Sequence, residues 1–136
     1  MRPRILVVED DAPTRDLLRR ILESEGCEIE MVADGEKAVG ALSQRQYDAV
    51  ILDIALPRMS GTDVMEYIAS TNPAVLATIV VVTGLDVAEI RKLFPSVCEA
   101  LAKPVLPGRL VAAVRRLVAR GRSGSGSSKV SGISVA

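Results

Sequence analysis

The stretch YDAVILDIALPRMSG, Tyr47 to Gly61, decides the fold. Four apolar residues, Ala49 to Leu52, run straight into Asp53, and Pro57 and Gly61 follow. A continuous run of this kind reads as a strand buried on both faces, which is the signature of a parallel sheet covered by helices. The carboxylate at its end is the anomaly. A turn residue there would cost nothing, whereas a buried charge is costly unless something compensates it.

Outward from this strand, the same alternation recurs in both directions. RILVVED, from Arg4, reads as a first strand. A helix follows, with Asp11 able to cap it, Pro13 suited to its first turn, Leu17, Leu18, Ile21 and Leu22 forming an apolar stripe, and Gly26 placed to end it. CEIEMVA is a short second strand, and DGEKAVGAL a helix capped by Asp34. After the Asp53 strand, TDVMEYIAS predicts a helix that Thr62 can cap, broken at Asn72-Pro73. ATIVVVTG is the most strand-like segment. A short helix spans Asp86 to Phe94, and VCEALAK is a weaker fifth strand. The last helix opens at Pro107 and reaches Arg120 before Gly121, with Leu110, Val111, Val114, Leu117 and Val118 on one face. Strand and helix alternate five times, which predicts an α/β, doubly wound, five-stranded parallel sheet with helices on both faces. Residues 1–121 form one domain in this reading. From Arg122, the Gly/Ser-rich residues 122–136 read as a flexible tail or linker.

Composition narrows the function. The chain has 136 residues, 49% of them apolar, enough for one domain with a proper core. Seventeen basic and seventeen acidic residues cancel, so no overall field points to nucleic acid or an anionic membrane. Aromatic residues make up 2%, which leaves no stacking platform for single-stranded nucleic acid. The absence of histidine excludes a Ser-His or Cys-His pair, a histidine zinc ligand and a histidine phosphodonor. Cys27 and Cys98 lie far apart and read as small buried hydrophobes. The N-terminus lacks the apolar run of a signal peptide, and no segment is long enough to span a membrane, so a soluble, cytoplasmic protein is expected. Beyond Glu99 every charged residue is basic, and Arg109, Arg116 and Arg120 on the last helix read as a solvated face, or as a docking face for an acidic partner or a second copy of the domain.

In a parallel α/β sheet, ligand groups collect just past the carboxyl ends of the strands. Those ends carry Glu9, Asp10 and Asp11 after the first strand, Asp53 on the third, Thr83 after the fourth and Lys103 after the fifth. Crowded carboxylates raise one another's pKa unless a cation is present. A hard divalent ion with oxygen ligands and retained waters relieves this, and Mg²⁺ fits best. With a hydroxyl and an ammonium beside it, such a cluster suits a phosphoryl group. The cations neutralise its oxygens, and a carboxylate can attack phosphorus to give an acyl phosphate.

The segments ILVVEDD, VILDIALPRMSG, VVVTG and LAKP, in that order and spacing, resemble the marker segments of two-component response-regulator receiver domains, over roughly Arg4 to Arg120. The resemblance, rather than the pattern of elements, implies a sheet of order 2-1-3-4-5. It also implies that Asp53 accepts a phosphoryl group from a phosphohistidine on a histidine kinase or histidine phosphotransfer protein. Asp10 is then a direct Mg²⁺ ligand, Glu9 acts mainly through a metal-bound water, and the Ala55 carbonyl completes the metal site. Thr83 and Lys103 contact phosphate oxygens, and Asp11 is a helix cap. The only catalysis implied is of the domain's own phosphorylation and dephosphorylation. Downstream proteins, or a second copy, would dock on the Asp86 to Phe94 and Pro107 to Arg120 helices, with no direct contact to nucleic acid or membrane. The sequence departs from the family at Ala100, where a Tyr or Phe usually stands. Two other functions compete. A hydrolase of the haloacid-dehalogenase type needs an aspartate where Ala55 stands, and a degenerate receiver would act as an unphosphorylated interaction module.

Overall fold

The computed structural model describes residues 2–127. The apolar runs form five strands: β1 (Arg4–Val8), β2 (Glu28–Val32), β3 (Ala49–Asp53), β4 (Ile79–Thr83) and β5 (Glu99–Ala102). Between and after them lie α1 (Ala12–Glu23), α2 (Gly35–Gln44), α3 (Gly61–Thr71), α4 (Val87–Leu93) and α5 (Pro107–Ser127). The strands are all parallel, in the order β2-β1-β3-β4-β5. This is the doubly wound sheet that the sequence predicts.

Every residue of β3 and β4 is buried, and their side chains alternate between two cores. On one face Val50, Leu52, Ile79 and Val81 meet Val64, Met65 and Ile68 of α3 and Ile90 of α4. On the other, Ile51, Val80 and Val82 meet Leu18 and Leu22 of α1 and Leu110, Val114 and Leu117 of α5. Each such side chain contributes about 2 kcal/mol through its removal from water. Cys27 is buried in the second core and Cys98 is half-buried against it. Leu17, expected in the α1 stripe, is instead 55% exposed, because Leu18 and Leu22 take the inward face.

Three boundaries differ from expectation. Ser60, not Thr62, caps α3. The Ser60 hydroxyl accepts the Asp63 N–H while Asp63 accepts the Ser60 N–H, and this reciprocal pair starts the helix at Gly61. Pro73–Thr78, after the Asn72-Pro73 break, forms a 3₁₀ helix that the sequence reading omitted. Finally, α5 runs to Ser127, six residues past Gly121, over the first part of the predicted tail. Gly and Ser are poor helix formers but no proline interrupts, and extending an existing helix requires no new nucleus. Residues 128–136 of that tail lie outside the described residues. No helix among the described residues is long and apolar enough to cross a membrane.

Two glycines let the loop after β3 pass close to its neighbours. A Cβ on Gly61 would meet the Asp53 carbonyl and lie 2.7 Å from the Ile54 Cα. A Cβ on Gly35, at the start of α2, would meet the Met59 carbonyl and lie 2.9 Å from the Met59 Cβ. The obstacle at Gly61 is backbone and cannot swing aside. Gly61→Ala should therefore lower stability by about 1–3 kcal/mol, as overpacking does, and shift the backbone amide resonances of 53–55. Urea unfolding and an amide correlation spectrum measure both.

At the opposite end of the sheet the Tyr47 hydroxyl donates to Glu30 Oε1 at 2.8 Å. Burial, and then this bond to a carboxylate, push the phenol up to about 12 from 10.0. An acid whose folded pKa is raised stabilises the fold fully below its unfolded pKa and loses that contribution as pH rises through the folded value. Stability should thus decline between about pH 10 and 12, less steeply in Tyr47→Phe. Ultraviolet titration of the phenolate should show a midpoint that falls in Glu30→Gln.

Candidate functional site

Parallel strands end on one rim, and the rim gathers the predicted residues. Glu9 directly follows β1 and is 1% exposed; Asp53, the last residue of β3, is 3% exposed. Asp10 is exposed beside them. One carboxylate oxygen each from Glu9, Asp10 and Asp53 lies within 4.8 Å of the others. The backbone sets this spacing. The Glu9 N–H donates to Val32 O at 3.1 Å, extending the ladder, and Asp53 stands opposite Val82.

Lys103 arrives from the far side. Its N–H donates to Thr83 O at 2.8 Å, one step beyond β5, and a cis peptide bond joins it to Pro104. The ammonium lies 3.1 Å from Asp53 Oδ2 and 3.3 Å from Glu9 Oε1. Burial pulls its pKa down, but the bond to Asp53 and the field of the two carboxylates outweigh that and hold it above the ordinary lysine value. Glu9 is pushed the other way from its preferred charge: burial raises its pKa, the Asp11 N–H opposes this, and nearby Asp53 adds to it.

Glu9 is held unevenly at its two oxygens. Its Oε2 accepts the Asp11 N–H at 3.1 Å. Its Oε1 is buried, within ion-pairing distance of Lys103, yet receives no hydrogen bond. An ammonium it must share with Asp53, at 3.3 Å and without a hydrogen bond, compensates that buried oxygen only in part. Three carboxylates against one ammonium leave two formal negative charges at one rim. An all-oxygen cluster with that charge fits a hard divalent cation.

The remaining predicted residues flank this centre. Thr83 is 1% exposed, and its hydroxyl accepts the Leu85 N–H at 2.9 Å. The Ala55 N–H donates to Asp53 Oδ1 at 3.2 Å, so the loop that carries the Ala55 carbonyl folds over the acid. Asp11 caps α1, accepting the Thr14 N–H at 3.1 Å and the Thr14 hydroxyl, and its pKa is lowered first by that hydroxyl. Ala100 stands opposite Val81, buried against the α3–α4 core, and the half-buried Phe94 packs on the same cluster. On the basic face Arg116 is drawn to Glu99 at 3.4 Å, where Arg91 of α4 also reaches at 3.9 Å. Two apolar side chains, Leu85 and Leu106, stand exposed in the loops that follow β4 and β5.

Two arginines were missed. Arg15 donates from its guanidinium to the Glu9 carbonyl at 2.9 Å. Arg58 adopts a left-handed φ of 63° and pairs with Asp34 at 3.7 Å and Glu36 at 3.4 Å, tying the β3–α3 loop to α2. Neither carries a sequence signal, since each acts on atoms that the linear pattern does not bring near.

Comparison with known proteins agrees with this geometry. The sequence model of the response regulator receiver domain matches residues 5–115. The DNA-binding response regulator MtrA of Mycolicibacterium paratuberculosis is 36% identical over 127 residues, covering 88% of this chain and 53% of MtrA. The response regulator MprA of Mycobacterium sp. strain KMS is 36% identical over 122 residues, covering 88% and 52%. The chain thus spans about half the length of these curated relatives. Among solved structures, the receiver domain of a LuxO repressor protein from Vibrio parahaemolyticus superposes with a TM-score of 0.82 at 27% identity, over 92% of this chain and 96% of that one. The receiver domain of the sensor histidine kinase PA1611 from Pseudomonas aeruginosa PAO1, with a magnesium ion coordinated in its active site cleft, gives 0.77 at 26% identity, over 88% and 99%. With its fold, rim and matched residues in agreement, this chain belongs to the response-regulator receiver-domain family.

Proposed function

We propose that this receiver domain takes a phosphoryl group onto Asp53 from a phosphohistidine of a histidine kinase or histidine phosphotransfer protein, in a Mg²⁺-dependent reaction in the cytoplasm. The observation that carries the reading is the cluster of three carboxylates, Glu9, Asp10 and Asp53, two of them buried and sharing the single ammonium of Lys103. Glu9, Asp10, Asp53 and the Ala55 carbonyl would hold the metal. When bound, Mg²⁺ supplies positive charge that shields the incoming phosphoryl oxygens from the carboxylates.

The protein's own groups do the rest. Asp53 is fixed at the end of a fully buried strand, so its oxygen is aimed without loop motion. That oxygen attacks phosphorus, the N–P bond of the donor breaks, and the electron pair leaves with the donor's ring nitrogen. Lys103 then exchanges a carboxylate contact for a phosphoryl oxygen, and the Thr83 hydroxyl donates to another. The chain acts on no other substrate in this reading. The signalling unit in this reading is 1–121, with α5 continuing past it to Ser127, and its output goes to a protein partner or second copy through α4 and α5. DNA binding, named for MtrA, belongs to that longer protein and forms no part of the proposal.

Incubation with acetyl phosphate and Mg²⁺ should give a single phosphoryl adduct by intact mass, labile to base. Asp53→Asn should abolish it, and an adduct at full stoichiometry in that variant would remove Asp53 as acceptor. Lys103→Met leaves Glu9 and Asp53 without their cation. Breaking a buried ion pair costs several kcal/mol, and because Lys103 is 30% exposed we expect the lower figure of about 1–3 kcal/mol in EDTA. Mg²⁺ should return more stability to this variant than to the unaltered protein; a thermal melt with and without the ion decides it.

A further inference from the structure

We infer that Arg15 is a positioning residue for the acid pair, holding the Glu9–Asp11 backbone so that the Glu9 and Asp10 carboxylates face the metal; this rests on the metal-site reading above. The Arg15 side chain binds two consecutive carbonyl oxygens, and its backbone N–H makes the ordinary first helical bond to the N-cap carbonyl. Arg15 Nη1 donates to Glu9 O at 2.9 Å and to Asp10 O at 3.4 Å, and the Arg15 N–H donates to Asp11 O at 2.8 Å. Nη1 carries two hydrogens, enough for both side-chain bonds.

The other arginines of the same helix behave differently. Arg19 pairs with Asp16 and with Glu23, and Arg20 with Asp16, as neighbouring side chains on a helix commonly do. Arg15 instead turns back over the start of α1 to backbone carbonyls; Arg19 is half-buried as well, so the partners and not the burial set Arg15 apart. Its bonds hold the carbonyls of 9 and 10 on the Arg15 side. The carbonyl and side chain of a residue leave the same Cα, so fixing one restricts the other. Glu9 is held a second time, through its own Oε2 on the Asp11 N–H, and Asp11 is held by Thr14. The exposed Asp10 has no such second hold in its side chain's favour, and its orientation depends on the backbone that Arg15 fixes.

The sign of one measurement separates positioning from charge. Arg15 is a cation beside a cation site, so by Coulomb's law alone its removal would tighten Mg²⁺ binding. Positioning predicts the opposite. Groups that orient metal ligands typically change affinity by ten- to a hundredfold, and for a watery site we expect Arg15→Ala to weaken Mg²⁺ binding about tenfold. Arg15→Lys keeps the charge, but its Nζ ends one bond short of the Nη1 position that reaches both carbonyls, and it should lose about threefold. The experiment is calorimetric Mg²⁺ titration of the whole chain and both variants, with thermal melts and metal-free amide spectra. Changed shifts confined to 9–12 in the metal-free variants, with weakened binding, support the inference. Unchanged or tighter binding in a folded Arg15→Ala overturns it. If Arg15→Ala does not fold, unchanged affinity in Arg15→Lys overturns it instead. An unaltered protein that binds no Mg²⁺ overturns the metal-site reading itself, which is a separate result.

Discussion

Two carboxylates, Glu9 and Asp53, stand almost without solvent at the ends of strands whose other inward side chains are apolar. Each would be expensive alone, and each is expensive for the other. Most of what surrounds them answers that constraint. Lys103 is delivered by a ladder bond from Thr83, so its ammonium is placed by the sheet and not by a mobile loop. The Asp11 and Ala55 amides each neutralise part of one carboxylate. The loop after β3 crosses so close to Asp53 that only a glycine at 61 fits. Glu9 Oε1 still has only a shared ion pair with Lys103 and no hydrogen bond.

The sheet makes such a cluster tolerable. β1, β3 and β4 are buried on both faces, and two separate cores clamp them from either side. A close-packed interior yields little, so repulsion among the acids cannot relax by spreading the strands. The free energy that stabilises the rest of the fold holds the rim together, and the rim is where that stability is spent on chemistry.

Much of this was legible from the sequence because it follows from periodicity. Apolar runs ending in acids can be read without coordinates, and they located Glu9, Asp10, Asp53, Thr83 and Lys103. What escaped depends on distance. Ser60 outcompetes Thr62 as a cap because Asp63 returns its bond, and the pair is visible only once the helix start is known. Leu17 is as apolar as Leu18, and a difference of one helical position puts it in water. Arg15 resembles the salt-bridging arginines that follow it, and only its bonds to backbone oxygens set it apart. The last helix ran on because nothing in its sequence forbids continuation, which composition alone does not reveal.

The bond from the Leu85 amide to the Thr83 hydroxyl has a mechanical meaning. A hydroxyl has one hydrogen and two lone pairs. With one lone pair taken by the amide, its hydrogen is left to donate elsewhere, so Thr83 is poised as a donor. It is also a handle. Any anion that draws this hydroxyl toward itself must either break a bond worth about 1 kcal/mol or bring the Leu85 amide along. Asp86, the next residue, caps α4. Tension on a single oxygen is therefore led by the main chain into the start of a helix, through two peptide units and without any side chain beyond Thr83 having to rotate.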